Sequence, residues 1–427
     1  MHGNTRISYG GILKSWNNSN LKTDEHMTPN ALATHLFSTY EQYRIFYLRP
    51  ANCRHREIVA EMRELVSRGN ELFSMNEIGK SVEGRSIYQM SFGRGQKKIL
   101  LWSQMHGDES TATLGLMDVF NMLVEDQGKE SWISEMLEQT TVFVIPMLNP
   151  DGAERIQRHT SVQIDMNRDA RELITPEARI LREAQRRLKP SFGFNLHDQV
   201  LSSVGVTPKV AALSLLAPAL DEKRSTPPVR LRAMRIAALI TRALSQFIGG
   251  HIATYDDAFE PRAFGAGMQS WGTSTVLIES GHWPGDPDKL FIRKLNYIAL
   301  LTAIRAIGNG SYQDTEMDWY RQLLPNGRMI YDIIIRGVEL HNGSGGWSAR
   351  TDVALMYDPP LHKRSSKDEA PAVRCVEIGD LSFHGALEEV DGGGRRLGAS
   401  HISLDAVVPL SSVMDALQIH FTPNVHS

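Results

Sequence analysis

Two rhythms of apolar and polar residues run along this chain. Apolar side chains recur at three- and four-residue spacing over residues 31–48 and 56–69, which predicts amphipathic helices. Further on, short apolar runs end in polar or glycine-bearing residues, as buried strands do, at residues 96–106, 140–150, 191–199 and 273–281. Long amphipathic stretches separate them, at residues 111–126, 175–190, 230–250 and 288–310. Strands that alternate with helices predict an α/β fold, a mostly parallel mixed sheet flanked by helices.

The pattern changes near Pro325, where residues alternate, turns carry glycine and no long helix follows. This change predicts a small C-terminal all-β domain of the sandwich or barrel type. His341, His362 and His384 are isolated from one another on this pattern, and we predict that they are surface or packing residues. The chain is therefore expected to comprise a poorly ordered polar segment 1–26, an α/β domain 27–320 and a β domain 321–427.

Composition narrows the class of protein. The 427 residues carry a formal charge of -3, with 41% hydrophobic and 22% charged residues, which is typical of a soluble globular protein. Such a balance gives no reason to expect nucleic acid or an acidic membrane as a partner. No apolar run reaches the length of about 18 residues that a transmembrane helix needs. Cys53 and Cys375 are far apart and are expected to be reduced thiols.

The N-terminus has no basic start followed by an apolar core, so it does not resemble a secretory signal. If the chain is complete, we expect a cytoplasmic protein. If a signal was removed before residue 1, the protein would be secreted or periplasmic.

The predicted strands end in residues that carry chemistry. "SQMHGDESTAT" follows the first of them and contributes His106 and Glu109, while the third ends in His197 and the fourth in Glu279. The carboxyl ends of parallel strands lie at one edge of a sheet, where ligands bind, so these residues are expected to converge. Two histidines and one carboxylate are a known ligand set for catalytic zinc, with water in the fourth position. The sequence therefore predicts one Zn²⁺ per chain, held by His106, Glu109 and His197.

Several motifs occur together and in order: His-Gly-Asp-Glu at 106–109, Asn-Pro-Asp-Gly at 149–152, Asn-Arg at 167–168, His197 and Ile-Glu at 278–279. As a set they resemble the zinc carboxypeptidases of the funnelin type, peptidase family M14. The resemblance covers roughly residues 70–305, and "IGKSVEGRSI" at 78–87 is similar to the family's entry into the sheet. It implies a metallocarboxypeptidase that cleaves the C-terminal residue from a peptide with a free C-terminus. The oligomeric state stays open.

The resemblance also implies roles for individual residues. Glu279 would take a proton from the attacking water and pass it to the leaving amine, and burial beside apolar neighbours suits this role because it raises a carboxyl pKa. Asn167 and Arg168 would grip the substrate's terminal carboxylate, which a planar guanidinium meets with two hydrogen bonds. Arg158 would stabilise the oxyanion, with Arg155 as the competing candidate. Tyr255, 24 residues before Glu279, would be the family's mobile tyrosine or a packing residue.

Three features leave alternatives open. Arg262 at the base of the pocket would favour acidic C-terminal side chains, whereas Phe264 or Met268 would favour apolar ones. Asp198 either orients a metal ligand or caps the segment after it. The long insert at residues 203–228 either shapes the rim of the pocket or is a surface excursion.

Other functions share part of this pattern. Zinc deacylases of N-acyl amino acids, the succinylglutamate desuccinylase and aspartoacylase group, have a similar His-Gly-x-Glu opening and Asn-Arg pair. The Asn-Pro-Asp-Gly motif at 149–152 and the lead-in at 78–87 favour the peptidase. A hydrolase of cell-wall peptides is a further possibility for the substrate, and a peptide-binding module without catalysis is an alternative of another class.

Overall fold

The computed structural model describes residues 27–126, 128–343, 346–364 and 370–421. The predicted N-terminal segment 1–26 lies outside these residues. The helices are α1 Pro29–Thr39, α2 His55–Arg68, α3 Thr111–Glu125, α4 Ser131–Gln139, α5 Pro150–Arg155, α6 Pro176–Leu188, α7 Pro228–Ile248, α8 Phe264–Ser270, α9 Leu290–Asn309, α10 Asp318–Arg321 and α11 Leu410–Ala416.

The strands are β1 Ser74–Lys80, β2 Ser86–Phe92, β3 Lys97–Trp102, β4 Thr140–Ile145, β5 Phe192–Asp198, β6 Ser203–Val204, β7 Leu213–Leu216, β8 Ile252–Thr254, β9 Ser274–Ser280, β10 Asn326–Gly327, β11 Ile330–His341, β12 Ser348–Tyr357, β13 Ala372–Gly379, β14 Gly385–Asp391, β15 Arg396–Gly398 and β16 Val407–Pro409. Eight of them form the main sheet, in the order β1-β2-β4-β3-β5-β9-β7-β8.

The centre of the main sheet, β4-β3-β5-β9, is parallel, and antiparallel strands extend it on both sides. The predicted α/β class is thus confirmed. The four predicted strands are the four central ones, because strands covered by helices on both faces are the most continuously apolar. Their carboxyl ends share one edge, where the predicted chemistry is found.

The helices follow local signals where these are strong. Thr175 caps α6 by accepting a hydrogen bond from the backbone of Ala178, and Pro176 occupies the first turn, as expected at a helix start. Helix α9 is buried on nearly every side, which its lack of a polar face requires. No helix in the described part of the chain combines the length and the apolar character that crossing a bilayer requires.

Two differences between the structure and the predicted pattern have a clear physical reason. The helix expected over 31–48 ends at Thr39, because the next residues turn toward α3. There the Tyr40 hydroxyl and the Ile45 backbone both donate to Asp118, and these long-range bonds override the local helical pattern. The insert at 203–228 contributes β7 to the main sheet, so it is not a surface excursion.

A second sheet follows the main one. Its order is β14-β11-β12-β13-β16, and β15 pairs with β11 beyond the end of β14, which confirms an additional all-β region. Helix α11 packs on one face of this sheet with a small hydrophobic core of its own. The two-stranded pair of β10 with β6 links it to the main part. Cys53 and Cys375 lie in the two different cores as separate buried thiols.

Candidate metal centre

The loop after β3 brings two of the predicted ligands together. His106 and Glu109 stand between the end of β3 and the start of α3, and both are buried. The loop packs closely on the backbone of α5, and a Cβ atom at Gly107 would lie 2.1 Å from the carbonyl carbon of Gly152. Only glycine fits at position 107 because any side chain would collide with backbone.

The three predicted ligands converge. His106 Nδ1 lies 2.8 Å from Glu109 Oε1, His197 Nδ1 lies 2.8 Å from Glu109 Oε2, and the two Nδ1 atoms lie 3.1 Å apart. Among the described residues, this is the group of three or more potential ligands that could hold a metal ion.

The donor set fits zinc. Bonds of about 2.0–2.1 Å in a tetrahedron place ligand atoms roughly 3.3 Å apart, close to the separations seen here. Burial by itself lowers the pKa of His106, but the carboxylates of Glu109 and Asp165 outweigh it and raise the pKa to about 9.

Asp165 is a functional residue that the sequence analysis missed. Its Oδ1 lies 3.1 Å from His106 Nε2, on the side of the ring away from Glu109. Carboxylates in this position commonly fix the tautomer and orientation of a metal-binding histidine. Its place two residues before Asn167 in "IDMNR" is a weak signal, because a lone aspartate before a polar pair has many structural uses.

Asp198 acts on the centre through its backbone. Its N–H donates to Glu109 Oε2 at 3.2 Å, while its carboxylate accepts from the Thr111 hydroxyl at 2.6 Å and the Lys289 ammonium at 3.3 Å. Burial raises the pKa of Asp198 despite the lysine beside it. The sequence left open whether Asp198 orients a ligand or caps the next segment. Its contact to the ligand Glu109 is made by the main chain.

Glu279 stands beside His197 because β9 and β5 are parallel neighbours and these two residues are in register. Their side chains therefore point to the same face of the sheet. Burial raises the pKa of Glu279 well above its ordinary value, and repulsion from Glu109 adds to the rise. The negative charge of Glu279 in turn raises the pKa of Tyr255, which lines the same cavity, to about 12.

The two candidate arginines have different neighbours, although Arg155 ends α5 and Arg158 follows only three residues later. Arg158 donates to Glu109 Oε1 at 3.1 Å and to Asp165 at 3.0 Å, so it borders the ligand cluster. Arg155 donates to the Asp151 carbonyl and is paired with Glu83 at 2.5 Å, on the outside. The structure places Arg158 at the site and Arg155 away from it.

Asn167 and Arg168 lie on the wall of the cavity. Asn167 Oδ1 accepts from the backbone of Phe264 at 3.0 Å, which fixes its side chain. Arg168 donates to the Asn167 carbonyl and has a loose contact with Glu260, 3.5 Å away. Its guanidinium is half-exposed, so an incoming anion can reach it.

Comparison with known proteins finds a family that resembles part of this chain. The family model described as "Zinc carboxypeptidase" matches residues 58–195. This segment is therefore similar to the zinc carboxypeptidases. The matched segment contains His106, Glu109 and the Asn167–Arg168 pair, whereas His197 and Glu279 follow it and join them through the sheet.

The chain is similar to several curated carboxypeptidases. Carboxypeptidase 2 of Trichophyton rubrum is 28% identical over 148 residues, which cover 32% of this chain and 27% of that protein. Carboxypeptidase M of Mus musculus is 27% identical over 112 residues, which cover 24% and 25% of the two chains. The chain thus spans about a quarter of the length of these relatives.

Solved structures with a related fold also match. A metallo-carboxypeptidase from Burkholderia cenocepacia is 15% identical, with a TM-score of 0.48 over 60% of this chain and 69% of that one. Bovine thrombin-activatable fibrinolysis inhibitor, in complex with tick carboxypeptidase inhibitor, is 14% identical, with a TM-score of 0.49 over 61% and 97% of the two chains.

The cavity beside the ligand cluster measures about 380 Å³. The three predicted candidates for its selectivity do not line it within the described residues: Arg262 is exposed and paired with Glu260, and Phe264 and Met268 are fully buried in a neighbouring core. Phe264 and Met268 lie on α8, which turns both side chains into that core. The apolar lining comes instead from small or aliphatic residues, among them Leu216, Pro218, Ala219, Ala263, Gly265, Ala266 and Leu277.

Proposed function

We propose that this protein is a zinc-dependent metallocarboxypeptidase that hydrolyses the C-terminal peptide bond of a peptide. One observation carries the proposal: the Nδ1 atoms of His106 and His197 and the carboxylate of Glu109 face one point. Glu279 and Arg168 line the same cavity. A binding module without catalysis has no need of a buried acid beside a metal cluster, because an uncompensated carboxylate is costly to bury.

The residues of the metal centre have separate tasks in this reaction. The chemistry that zinc supplies when held by His106, Glu109 and His197 is polarisation of a carbonyl and activation of a water molecule. Glu279 accepts a proton from the attacking water and returns it to the leaving amine. Its raised pKa brings it closer to the working range of a general base.

Arg168 and Arg158 bind different parts of the substrate. Arg168, with Asn167 beside it, holds the free carboxylate of the substrate and so restricts cleavage to the last peptide bond. Arg158 borders Glu109 and stabilises the negative charge that develops on the carbonyl oxygen. Tyr255 lines the same cavity and donates a hydrogen bond to the bound peptide.

The lining of the cavity suggests the preferred substrates. Small and aliphatic residues surround the space beyond the anchoring pair, and Arg262 is held outside by Glu260. We therefore expect peptides that end in an apolar residue to be cleaved faster than peptides that end in an acidic one.

Digestion of a mixed peptide library, read by mass spectrometry with the metal content of the same preparation, tests the proposal. We expect about one zinc per chain and the loss of single residues from C-termini, with no product from E279Q as the matched control. One zinc per chain with no shortened peptide contradicts the proposal. Release of the acyl group from N-acyl amino acids in that case would identify a deacylase.

A further inference from the structure

A segment of the C-terminal region returns to the metal centre. The connection after β12 passes through a short 3₁₀ turn, Leu361–Lys363, and there the Lys363 ammonium donates to Asp108 Oδ2 at 2.6 Å. Asp108 stands between the two ligands His106 and Glu109. The contact joins residues 255 positions apart and crosses from one sheet system to the other.

This segment is anchored, and it is not a loose surface loop. The turn packs against the short turn Pro50–Asn52 of the main part. His362 is buried, with its ring 5.4 Å from the ring of His282, which follows β9. Arg364 is buried as well. The Lys363 stem therefore approaches Asp108 from a fixed base, which reduces the entropy lost in holding its ammonium there.

The contact has a counterpart on the other half of the centre. Lys289 binds Asp198, the residue after His197, just as Lys363 binds Asp108, the residue before Glu109. Each half of the ligand cluster thus has an adjacent carboxylate held by a lysine. Lys289 belongs to the main part at the start of α9, whereas Lys363 comes from the C-terminal region.

Asp108 depends on this single lysine. Oδ1 of Asp108 is buried without a hydrogen-bond partner, and Lys363 is the one hydrogen-bond partner of its side chain in the part of the chain that the structure describes. Removal of the lysine would leave a largely buried carboxylate unpaired, next to the acid Glu109. Such a loss costs more than a surface ion pair contributes, and movement of the loop toward solvent would relieve it.

We propose that Lys363 is a positioning residue that holds the 106–109 loop in the arrangement that binds zinc, so that the C-terminal β region completes the metal centre. The inference rests on the proposed zinc site. Removal of groups that orient metal ligands typically lowers metal affinity by about 10- to 100-fold. We expect a loss of that size from K363M.

The experiment compares K363M and K363R with K294M. Lys294 is a matched control, because it is also a mostly buried lysine paired with an acid, Glu41, at 3.8 Å. Zinc dissociation constants come from competition with a chromogenic chelator, and melting temperatures of the metal-free proteins report on folding. We expect weaker zinc binding in K363M alone and recovery in K363R, and the melting temperatures show whether each metal-free variant is folded at the temperature of the zinc measurement.

Zinc binding by K363M that equals wild type overturns the inference, as does an equal loss in K294M. If K363M does not fold, D108N tests the same contact, since it removes the charge that the lysine pairs and keeps the side-chain volume. D108N should then weaken zinc binding, and unchanged binding would overturn the inference. Wild-type protein that binds zinc but shortens no peptide contradicts the proposed function only, because the zinc measurements still decide the role of Lys363.

Discussion

The two sheets of this molecule place their polar residues differently. The main sheet is covered by helices on both faces, and its buried carboxyl edge gathers His106, Glu109, His197 and Glu279. The C-terminal sheet has a larger hydrophobic core on one face and a smaller one on the other, and its described residues form no cluster of metal ligands. The carboxyl ends of neighbouring parallel strands lie at one edge of a sheet. In a sheet made mostly of antiparallel pairs, these ends are distributed between both edges. We infer that catalysis belongs to the first sheet and support of its loop to the second.

The largest effect is expected from E279Q. Removal of a general base lowers the rate by about 10²- to 10⁴-fold, while the zinc content should stay that of wild type because Glu279 is not a ligand. The measurement is kcat on a library-derived peptide, with metal analysis of each preparation. D256N is the control, since Asp256 lines the same cavity and its carboxylate accepts from the backbone of Ala258. Unchanged kcat in E279Q would remove Glu279 from the reaction.

In the C-terminal sheet, L355A should affect stability and leave catalysis in the folded protein intact. Leu355 is fully buried on β12, and a Leu-to-Ala change in a core costs about 2–5 kcal/mol of unfolding free energy. Urea unfolding gives this quantity, and kcat below the transition gives the catalytic comparison. L404A, at a position 60% exposed, should change little. A large fall in the kcat of folded L355A would contradict the division between the sheets.

R168A should distinguish substrates by their C-terminus. A hydrogen bond to a charged group contributes about 1.5–3 kcal/mol, so kcat/KM for peptides with a free carboxylate should fall roughly 10- to 150-fold. Amidated peptides, which are poor substrates from the start, should lose little. R171A is the control, because Arg171 is exposed and pairs with Glu172. Equal losses on both kinds of peptide would argue against anchoring of the carboxylate.

The smallest effect is expected from His362 at the junction of the two regions. Burial lowers its pKa well below the ordinary value, and the positive charges of Lys289 and Lys363 and its neighbour His282 act in the same direction. The folded state keeps His362 neutral, so its contribution to stability is present above pH 6.5 and is lost as the pH falls below it. H362Q should remove up to about 1.4 kcal/mol per pH unit from the slope of stability between pH 6.5 and 5.5.

Asp286 and Asp332, which line the small cavity beside His362, act in the opposite direction. Burial raises the pKa of each to about 6, so they take up protons in the folded state as the pH falls through this range. The comparison of H362Q with wild type cancels their effect. Denaturant unfolding over this pH range measures the slope of stability against pH. The control is a variant in which the exposed His401 is changed to Gln. Parallel curves for H362Q and wild type would contradict the expectation.

The sequence alone predicts the centre of the fold well. Each central strand is a short apolar run that ends in a polar group, and both signals are local. The predicted resemblance to the zinc carboxypeptidases is confirmed over residues 58–195, and the predicted ligands His106, Glu109 and His197 lie together. The catalytic roles of Glu279 and Arg158 stay predictions, although both residues lie at the site.

The features that the sequence analysis did not predict all depend on contacts between residues that are distant in the sequence. Asp165, Lys289 and Lys363 act through partners 59, 91 and 255 positions away, and no local pattern marks such pairs. The end of α1 depends on a bond between Tyr40 and Asp118 in the same way. The selectivity candidates Phe264 and Met268 do not line the cavity because α8 packs both of them into a core shared with distant elements, which short-range order cannot reveal.

The spacing of the ligands has a consequence for the protein's synthesis. His106 and His197 are separated by 91 positions, and Glu279 follows 82 positions later, since 279 − 197 = 82. On a ribosome, the loop with His106 and Glu109 emerges first, and the strand with Glu279 emerges long after. The three candidate ligands therefore emerge before Glu279, and Lys363, which holds Asp108 beside them, emerges later still.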